Sequence, residues 1–131
     1  MHSFDATRAR RAPRHYEGTN LLGEPVSGEF TSPTLVVAVK EDCWGCRSVL
    51  ESSPGEMGDV MTLLVAAQTP RELGWRTSKH QVLISDSLLR ELDVRWPPFY
   101  VLVDPSSENV VSEGVVFGVQ QVREEIAPFL M

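Results

Sequence analysis

Residues 35–46 read LVVAVKEDCWGC, an uninterrupted apolar run followed closely by the only two cysteines of the chain. The run from Leu35 to Val39 has no polar alternation, which is typical of a strand covered on both faces of a parallel or mixed sheet. Two cysteines three residues apart, placed where such a strand leads into a helix, indicate a dithiol redox site. We therefore expect a central strand that ends at a reactive Cys43–Cys46 pair.

The composition describes one ordinary domain. With 131 residues, of which 42% are hydrophobic and 23% charged, the chain can bury about two thirds of the surface that its unfolded form exposes. It does not need a disulfide to fold, so two cysteines indicate chemistry rather than a structural crosslink. The formal net charge of -6 argues against nucleic-acid binding, for which a basic surface is typical.

The N-terminal residues differ from the rest in charge. Residues 1–16 carry Arg8, Arg10, Arg11 and Arg14 against Asp5 alone, so residues 1–18 are predicted to form a flexible basic tail and residues 19–131 the folded domain. No apolar segment of the about 7–15 residues typical of a signal peptide follows the arginines, and none approaches the roughly 18 residues of a membrane span. The sequence as written predicts a cytoplasmic protein, unless a leader has been removed.

Apolar runs and helix breakers predict the order of the other elements. Residues 19–22 and 25–30 are expected to form a short hairpin around Gly23 and Glu24. Thr69 is expected to cap a helical turn that Gly74 makes doubtful as a long helix, and Asp86 or Ser87 is expected to cap a second short helix. Gly114 is expected to mark a bulge or bend in the last strand. After the hairpin, the predicted order is β, α, β, α, β, α, β, β, α. The corresponding segments are 35–39, 43–51, 60–67, 69–80, 81–85, 88–92, 99–103, 110–117 and 119–130.

This order resembles the thioredoxin superfamily and, within it, the TlpA/ResA-like thiol-disulfide oxidoreductases. The resemblance rests on residues 35–46, on residues 83–86 and on PFYVLVD at residues 98–104. It implies an α/β thioredoxin fold, a central mixed sheet flanked by helices, with a cis peptide bond before Pro98. It also implies an enzyme that reduces or exchanges disulfides of proteins or small thiol compounds, without a bound cofactor, and that a reductase or another thiol recycles.

The spacing of the two cysteines supports the same chemistry. Side chains three positions apart at a helix start lie on one face, with Cβ atoms about 5–6 Å apart, and a small adjustment allows a disulfide. The helix N-terminus favours the thiolate of Cys43, the expected nucleophile, and Cys46 lies one turn deeper as the resolving thiol. Asp42 could cap the helix, although its charge opposes the thiolate. Val37 stands where thioredoxin has a buried acid, which leaves Glu41 and Asp42 as weak candidates for a general base.

Four further residues are candidates for substrate contact. Trp44 is expected at the surface, with core packing as the alternative, and Gly45 either admits a partner's backbone or loosens the turn. Pro98 is expected to shape the substrate groove. In relatives, the residue before this proline offers its backbone N–H and C=O to a substrate strand. Here that residue is Pro97, which has no N–H, so we expect a weaker grip on peptides.

Three other functions are compatible with parts of this pattern. One is a non-catalytic thioredoxin-fold binding module whose cysteines are inert. A structural zinc site would need four nitrogen or sulfur ligands, and His2, His15 and His80 lack ligand spacing, so no metal is expected. A peroxidase of the peroxiredoxin type normally has threonine three residues before its attacking cysteine, where this chain has Lys40.

Overall fold

The computed structural model describes residues 10–130, so that Met131 and residues 1–9, with His2, Asp5 and Arg8, lie outside it. The strands are β1 (His15–Thr19), β2 (Pro25–Glu29), β3 (Thr34–Ala38), β4 (Met61–Ala66), β5 (Gln81–Ile84), β6 (Phe99–Asp104) and β7 (Asn109–Val115). The α-helices are α1 (Trp44–Glu51), α2 (Asp86–Glu91) and α3 (Val119–Ile126), with 3-10 turns at Leu73–Thr77 and Ala127–Phe129. The strands form one mixed sheet in the order β2-β1-β5-β4-β3-β6-β7.

Strand β3 lies inside this sheet and is buried on both faces, as its unbroken apolar run predicts. It pairs in parallel with β4 and antiparallel with β6. Leu35, Val37 and Val39 face the core that contains residues of α1 and α3, whereas Val36 and Ala38 face the core that contains residues of α2. Successive side chains of a strand point to opposite faces, so only a strand between two apolar layers reads as continuous hydrophobic sequence.

The strand registers bring distant parts of the chain together at one end of the neighbouring strands β3, β6 and β7, which we call this edge of the sheet. Ala38 at the end of β3 pairs with Phe99 at the start of β6, and Phe99 pairs with Val115 at the end of β7. The segments that follow β3, precede β6 and follow β7 therefore meet at this edge. The Cys43–Cys46 pair follows β3, and Pro98 directly precedes β6.

The N-terminal hairpin is present, but its first strand lies earlier than expected. β1 ends at Thr19, and the turn between Asn20 and Glu24 joins it to β2. Gly18 lies where β1 pairs with β5, and a Cβ at this position would overlap the carbonyl oxygen of Ile84. Only glycine allows this close approach of the two strands.

Residues 10–18, expected in the flexible tail, belong to the folded domain. The Nε atom of Arg10 donates to Glu113 at 3.0 Å, and that of Arg14 donates to Glu108 at 2.9 Å. The backbone of Arg10 and of Ala12 bonds to the start of β7. The predicted boundary at residue 19 is therefore too late, because the acids that pair with these arginines lie 103 and 94 positions away in the sequence.

The end of β7 also differs from the expectation. Residues 115–117 were expected to continue this strand, but it ends at Val115, and Phe117 leaves the sheet. Gly114 does not form the bulge. The register shift lies between Leu102 and Val103, which pair with Ser112 and Val110, so Val111 is the extra residue. Gly114 instead packs against the ring of Tyr100.

The two short helices begin at residues other than the expected caps. Ser85 caps α2, because its hydroxyl accepts from the backbone N–H of Leu88 at 3.2 Å, and Asp86 is the first helical residue. The doubtful helix in residues 69–80 is a single 3-10 segment over Leu73–Thr77. Its Trp75 is buried and packs in the core beneath α1.

A buried histidine holds the end of α1 to the start of β5. His80 is 8% exposed, and its Nε2 atom lies 2.9 Å from the hydroxyl of Ser52. The Ser52 hydroxyl donates its own proton to the carbonyl of Val49 at 2.6 Å. The Nε2 nitrogen of His80 therefore carries a proton and donates it to the Ser52 hydroxyl. Burial lowers the pKa of His80, while a hydrogen bond to the backbone of Ser52 and the charge of Glu56 oppose this shift.

Because the pKa of His80 is lowered in the folded protein, we expect the free energy of unfolding to fall as the pH drops from 7 to 5. The unfolded imidazole takes up a proton near its ordinary pKa of about 6.5, whereas the folded one resists protonation, so acid favours the unfolded chain. Replacing His80 with Gln keeps a donor for Ser52 but removes this titration. We expect His80→Gln to flatten the dependence in urea unfolding measured at several pH values.

The control is Gln68→Asn, because Gln68 is exposed and carries no titratable group. This variant should keep the wild-type slope between pH 5 and 7. An unchanged slope in His80→Gln would show that His80 does not link folding to protons.

Candidate functional site

The two cysteines form a disulfide at the N-terminus of α1, with Cα atoms 5.2 Å apart. Cys43 is the N-cap of this helix and is partly exposed. Cys46 is fully buried in the core beneath α1. Because only Cys43 reaches the surface, an external thiol or disulfide can react with Cys43 and not with Cys46.

The helix start surrounds the sulfur of Cys43 with partial positive charge. The backbone N–H of Cys46 donates to this sulfur at 3.1 Å, and the first turn of α1 contains no acidic residue. Hydrogen bonding and the helix dipole both favour a thiolate over a thiol at such a position. The expected cap, Asp42, does not cap the helix: it is exposed and adopts a left-handed backbone with φ of 54°.

Two hydrogen bonds between acidic side chains and backbone N–H groups connect the loop before Cys43 to Glu72. The carboxylate of Glu41 accepts from the N–H of Glu72 at 3.1 Å, and the carboxylate of Glu72 accepts from the N–H of Asp42 at 3.2 Å. Glu41 therefore stabilises the loop. A role of Glu41 or Asp42 as general base for the reduced Cys46 stays a prediction.

The peptide bond between Pro97 and Pro98 is cis, and Pro98 packs against the start of α1. A Cβ on Gly45 would lie only 2.9 Å from Cγ of Pro98 and 3.7 Å from the carbonyl oxygen of Val116. The backbone N–H of Val116 in turn donates to the carbonyl of Pro98 at 3.0 Å. The absent side chain of Gly45 thus admits Pro98 beside the disulfide, a role that neither sequence-based interpretation of this glycine included.

Three exposed aromatic residues lie within two positions of this contact along the chain, and we call them the aromatic rim: Trp44, Trp96 and Phe117. They are 90%, 77% and 85% exposed. Trp44 precedes Gly45, Trp96 lies two residues before Pro98, and Phe117 follows Val116. Sequence reasoning identified Trp44 but missed Trp96 and Phe117, because the pairing of β6 with β3 and β7 is what brings these segments together.

Gln121 on α3 holds the segment that carries Phe117. Its side-chain oxygen accepts from the N–H of Phe117 at 2.8 Å and of Gly118 at 3.3 Å, and its side-chain nitrogen donates to the carbonyl of Val115 at 3.1 Å. One amide side chain therefore replaces the hydrogen bonds that the segment loses where it leaves β7. Nothing in the sequence around Gln121 indicates this role.

A hydrogen-bond network connects Gln121 to the core. Its side-chain nitrogen also donates to Glu125 at 2.9 Å, and the hydroxyl of Tyr100 donates to the same carboxylate at 2.7 Å. Burial, with the hydrogen bond to Glu125 acting in the same direction, raises the pKa of Tyr100 to about 12. The bonds from Gln121 and Tyr100 hold the pKa of Glu125 below its usual value. At neutral pH Tyr100 is therefore neutral and Glu125 is ionised, which suits the hydrogen bonds that position the loop.

Residues 10–130 lack two features that other classes of protein have. No helix in this range is long and apolar enough to cross a membrane. No group of three or more His, Cys, Asp and Glu side chains is arranged to hold a metal ion.

No protein-family model matches the sequence, and no curated protein matches it. Solved structures do match the fold. The thioredoxin domain of a thiol-disulfide oxidoreductase from Bacteroides vulgatus has a TM-score of 0.67 at 19% identity, over 94% of this chain and 97% of that chain. A thio-disulfide isomerase from Thermus thermophilus has a TM-score of 0.64 at 17% identity, over 92% and 94%. StoA from Bacillus subtilis has a TM-score of 0.63 at 14% identity, over 87% and 97%. The chain thus has the thioredoxin fold expected from its sequence, in the form seen in thiol-disulfide oxidoreductases.

Proposed function

We propose that the protein is a thiol-disulfide oxidoreductase whose redox centre is the Cys43–Cys46 pair. The observation that carries this proposal is the unequal exposure of the two sulfurs. Cys43 is accessible at a helix N-terminus and Cys46 is buried one turn below it. A structural disulfide gains nothing from this arrangement, whereas disulfide exchange needs one attacking and one resolving thiol.

The reduced pair would act in two exchange steps. The thiolate of Cys43 attacks one sulfur of a substrate disulfide, and the other substrate sulfur leaves as a thiolate that takes up a proton. Cys46 then loses its proton and attacks the sulfur of Cys43, which releases the second substrate thiol and forms the Cys43–Cys46 disulfide. The reverse sequence oxidises a substrate dithiol. The recycling reductase or thiol and the cytoplasmic location stay predictions.

The aromatic rim supports apolar segments of protein chains as substrates. Pro97 offers a carbonyl to a substrate strand but no N–H, so one backbone hydrogen bond of strand addition is lost. Trp44, Trp96 and Phe117 provide side-chain contact area around Cys43 instead. Large aromatic side chains carry a disproportionate share of the binding energy in protein interfaces.

The first prediction of the proposed function concerns the resolving cysteine. Cys46→Ser should accumulate mixed disulfides through Cys43, because the second exchange step has lost its nucleophile. The variant is incubated with a disulfide-containing protein, and the adducts are measured by non-reducing gel electrophoresis and mass spectrometry. The matched control, Cys43→Ser, should form no adduct, since its remaining cysteine is buried.

The proposal would be contradicted if the Cys46→Ser variant folds stably, keeps Cys43 reduced and still forms no adduct. It would favour the non-catalytic binding module, for which the aromatic rim would be the contact surface.

The second prediction concerns the aromatic rim. Trp44→Ala, Trp96→Ala and Phe117→Ala should each lower kcat/KM for the disulfides of insulin by about 5- to 30-fold, the effect of losing an aromatic interface residue worth about 1–2 kcal/mol. Reduction of bis(2-hydroxyethyl) disulfide, which is too small to cover the rim, should change little. The substituted side chains are exposed, so thermal stability should also be retained.

The control variant for this series is Phe129→Ala. Phe129 is also aromatic and 50% exposed, but it follows α3 at the end of this helix remote from Gly118. Equal losses on insulin and on the small disulfide would show that the rim acts on the redox pair and not on substrate binding.

A further inference from the structure

A cleft of about 420 Å³ lies beside Cys43, between α1 and residues 72–79. The buried indole of Trp75 and the partly buried Leu50 provide an apolar base. Small-molecule sites occupy about 300–1,000 Å³ and combine apolar walls with a few polar groups. The cleft is at the small end of this range, a size suited to a molecule of a few amino acids. The aromatic rim does not line it.

The walls of the cleft carry charges of both signs. Lys40, Arg47 and Lys79 contribute three cations, all exposed, and none of them forms an ion pair within residues 10–130. Unpaired cations that converge on a concave surface attract carboxylates and raise their local concentration. A cation beside Cys43 also attracts an incoming thiolate.

Three acidic side chains lie in the same walls: Asp42, Glu51 and Glu72. The Glu72 carboxylate is held by the N–H of Asp42, which keeps this wall in place. Charges of both signs do not suit a simple anion such as phosphate. They suit a zwitterion with carboxylates for the cations and an ammonium group for the acids.

We propose that this cleft binds a low-molecular-weight thiol with carboxylate and ammonium groups, which reduces the Cys43–Cys46 disulfide directly. The proposal rests on the proposed function and names its recycling partner. It assigns different sides of Cys43 to the two partners, with the aromatic rim for the protein substrate and the charged cleft for the small thiol.

The reaction balances with two molecules of thiol. The first thiolate attacks the sulfur of Cys43, a bond forms between the two sulfurs, and Cys46 leaves as a thiolate that takes up a proton. The second thiolate attacks the small-molecule sulfur of this mixed disulfide and releases Cys43. The protein disulfide gains two electrons and two protons, and the two small thiols become one disulfide.

The test compares reduced glutathione with glutathione whose two carboxylates are esterified. Both probes present the same thiol, but the ester has no carboxylates. Second-order rates of reduction of the Cys43–Cys46 disulfide are measured by alkylation and mass spectrometry. Each of these rates is divided by the rate at which the same thiol reduces bis(2-hydroxyethyl) disulfide, which corrects for differences in the intrinsic reactivity of the two thiols. We expect this normalised rate to be about fivefold higher for glutathione, the size that two solvent-exposed ion pairs produce.

Three variants of the cleft and one control localise the effect. Lys40→Gln, Arg47→Gln and Lys79→Gln should each lower the preference for glutathione over its ester, and the triple variant should abolish it. Arg123→Gln, an exposed arginine on α3 that does not line the cleft, should keep it. Added salt should reduce the preference in the wild-type protein and leave the triple variant unaffected.

Equal normalised rates for glutathione and its ester in the wild-type protein would overturn this inference. A preference that persists in the triple variant would also overturn it. The proposed function has a separate readout, because dithiothreitol is uncharged and should support insulin reduction in every cleft variant. If dithiothreitol fails as well in the wild-type protein, the oxidoreductase proposal itself is wrong.

Discussion

The antiparallel pairing of β3 with β6 is the constraint on which the site depends. It places Ala38 opposite Phe99, so that the chain leaving one strand meets the chain entering the other. Gly45 and Pro98 become neighbours across a sequence separation that no local interaction could bridge. The same edge receives Val115 from β7, and with it the segment that carries Phe117. Burial of β3 on both faces holds this register, because a slip by one residue would exchange its two apolar faces.

The core and the chemistry share one residue. Cys46 is the resolving thiol in the proposed mechanism and also a fully buried member of the core beneath α1. Gly45, next to it, leaves the space that Pro98 occupies. The redox pair is therefore embedded in packed structure on its inner side and open only at Cys43. This arrangement allows a partner to reach one sulfur while the other stays protected from solvent.

Sequence reasoning was accurate where the signal is local. The apolar run of β3, the helix after Cys43 and the alternation of strands and helices all follow from neighbouring residues, and the structure has them. It failed where partners are distant. Arg10 and Arg14 suggested a solvated tail because Glu113 and Glu108 lie at the other end of the chain. Asp42 suggested a cap, but the sulfur of Cys43 itself accepts the N–H of Cys46.

The sequence by itself determined the order of strands and helices and the spacing of the two cysteines, because hydrophobic periodicity and Cys-x-x-Cys spacing are properties of adjacent residues. Tertiary structure alone decided what surrounds those positions. The aromatic rim combines three segments, and the charged cleft joins α1 to residues 72–79. Long-range strand pairing and side-chain packing set such neighbourhoods, and a linear pattern contains no measure of either.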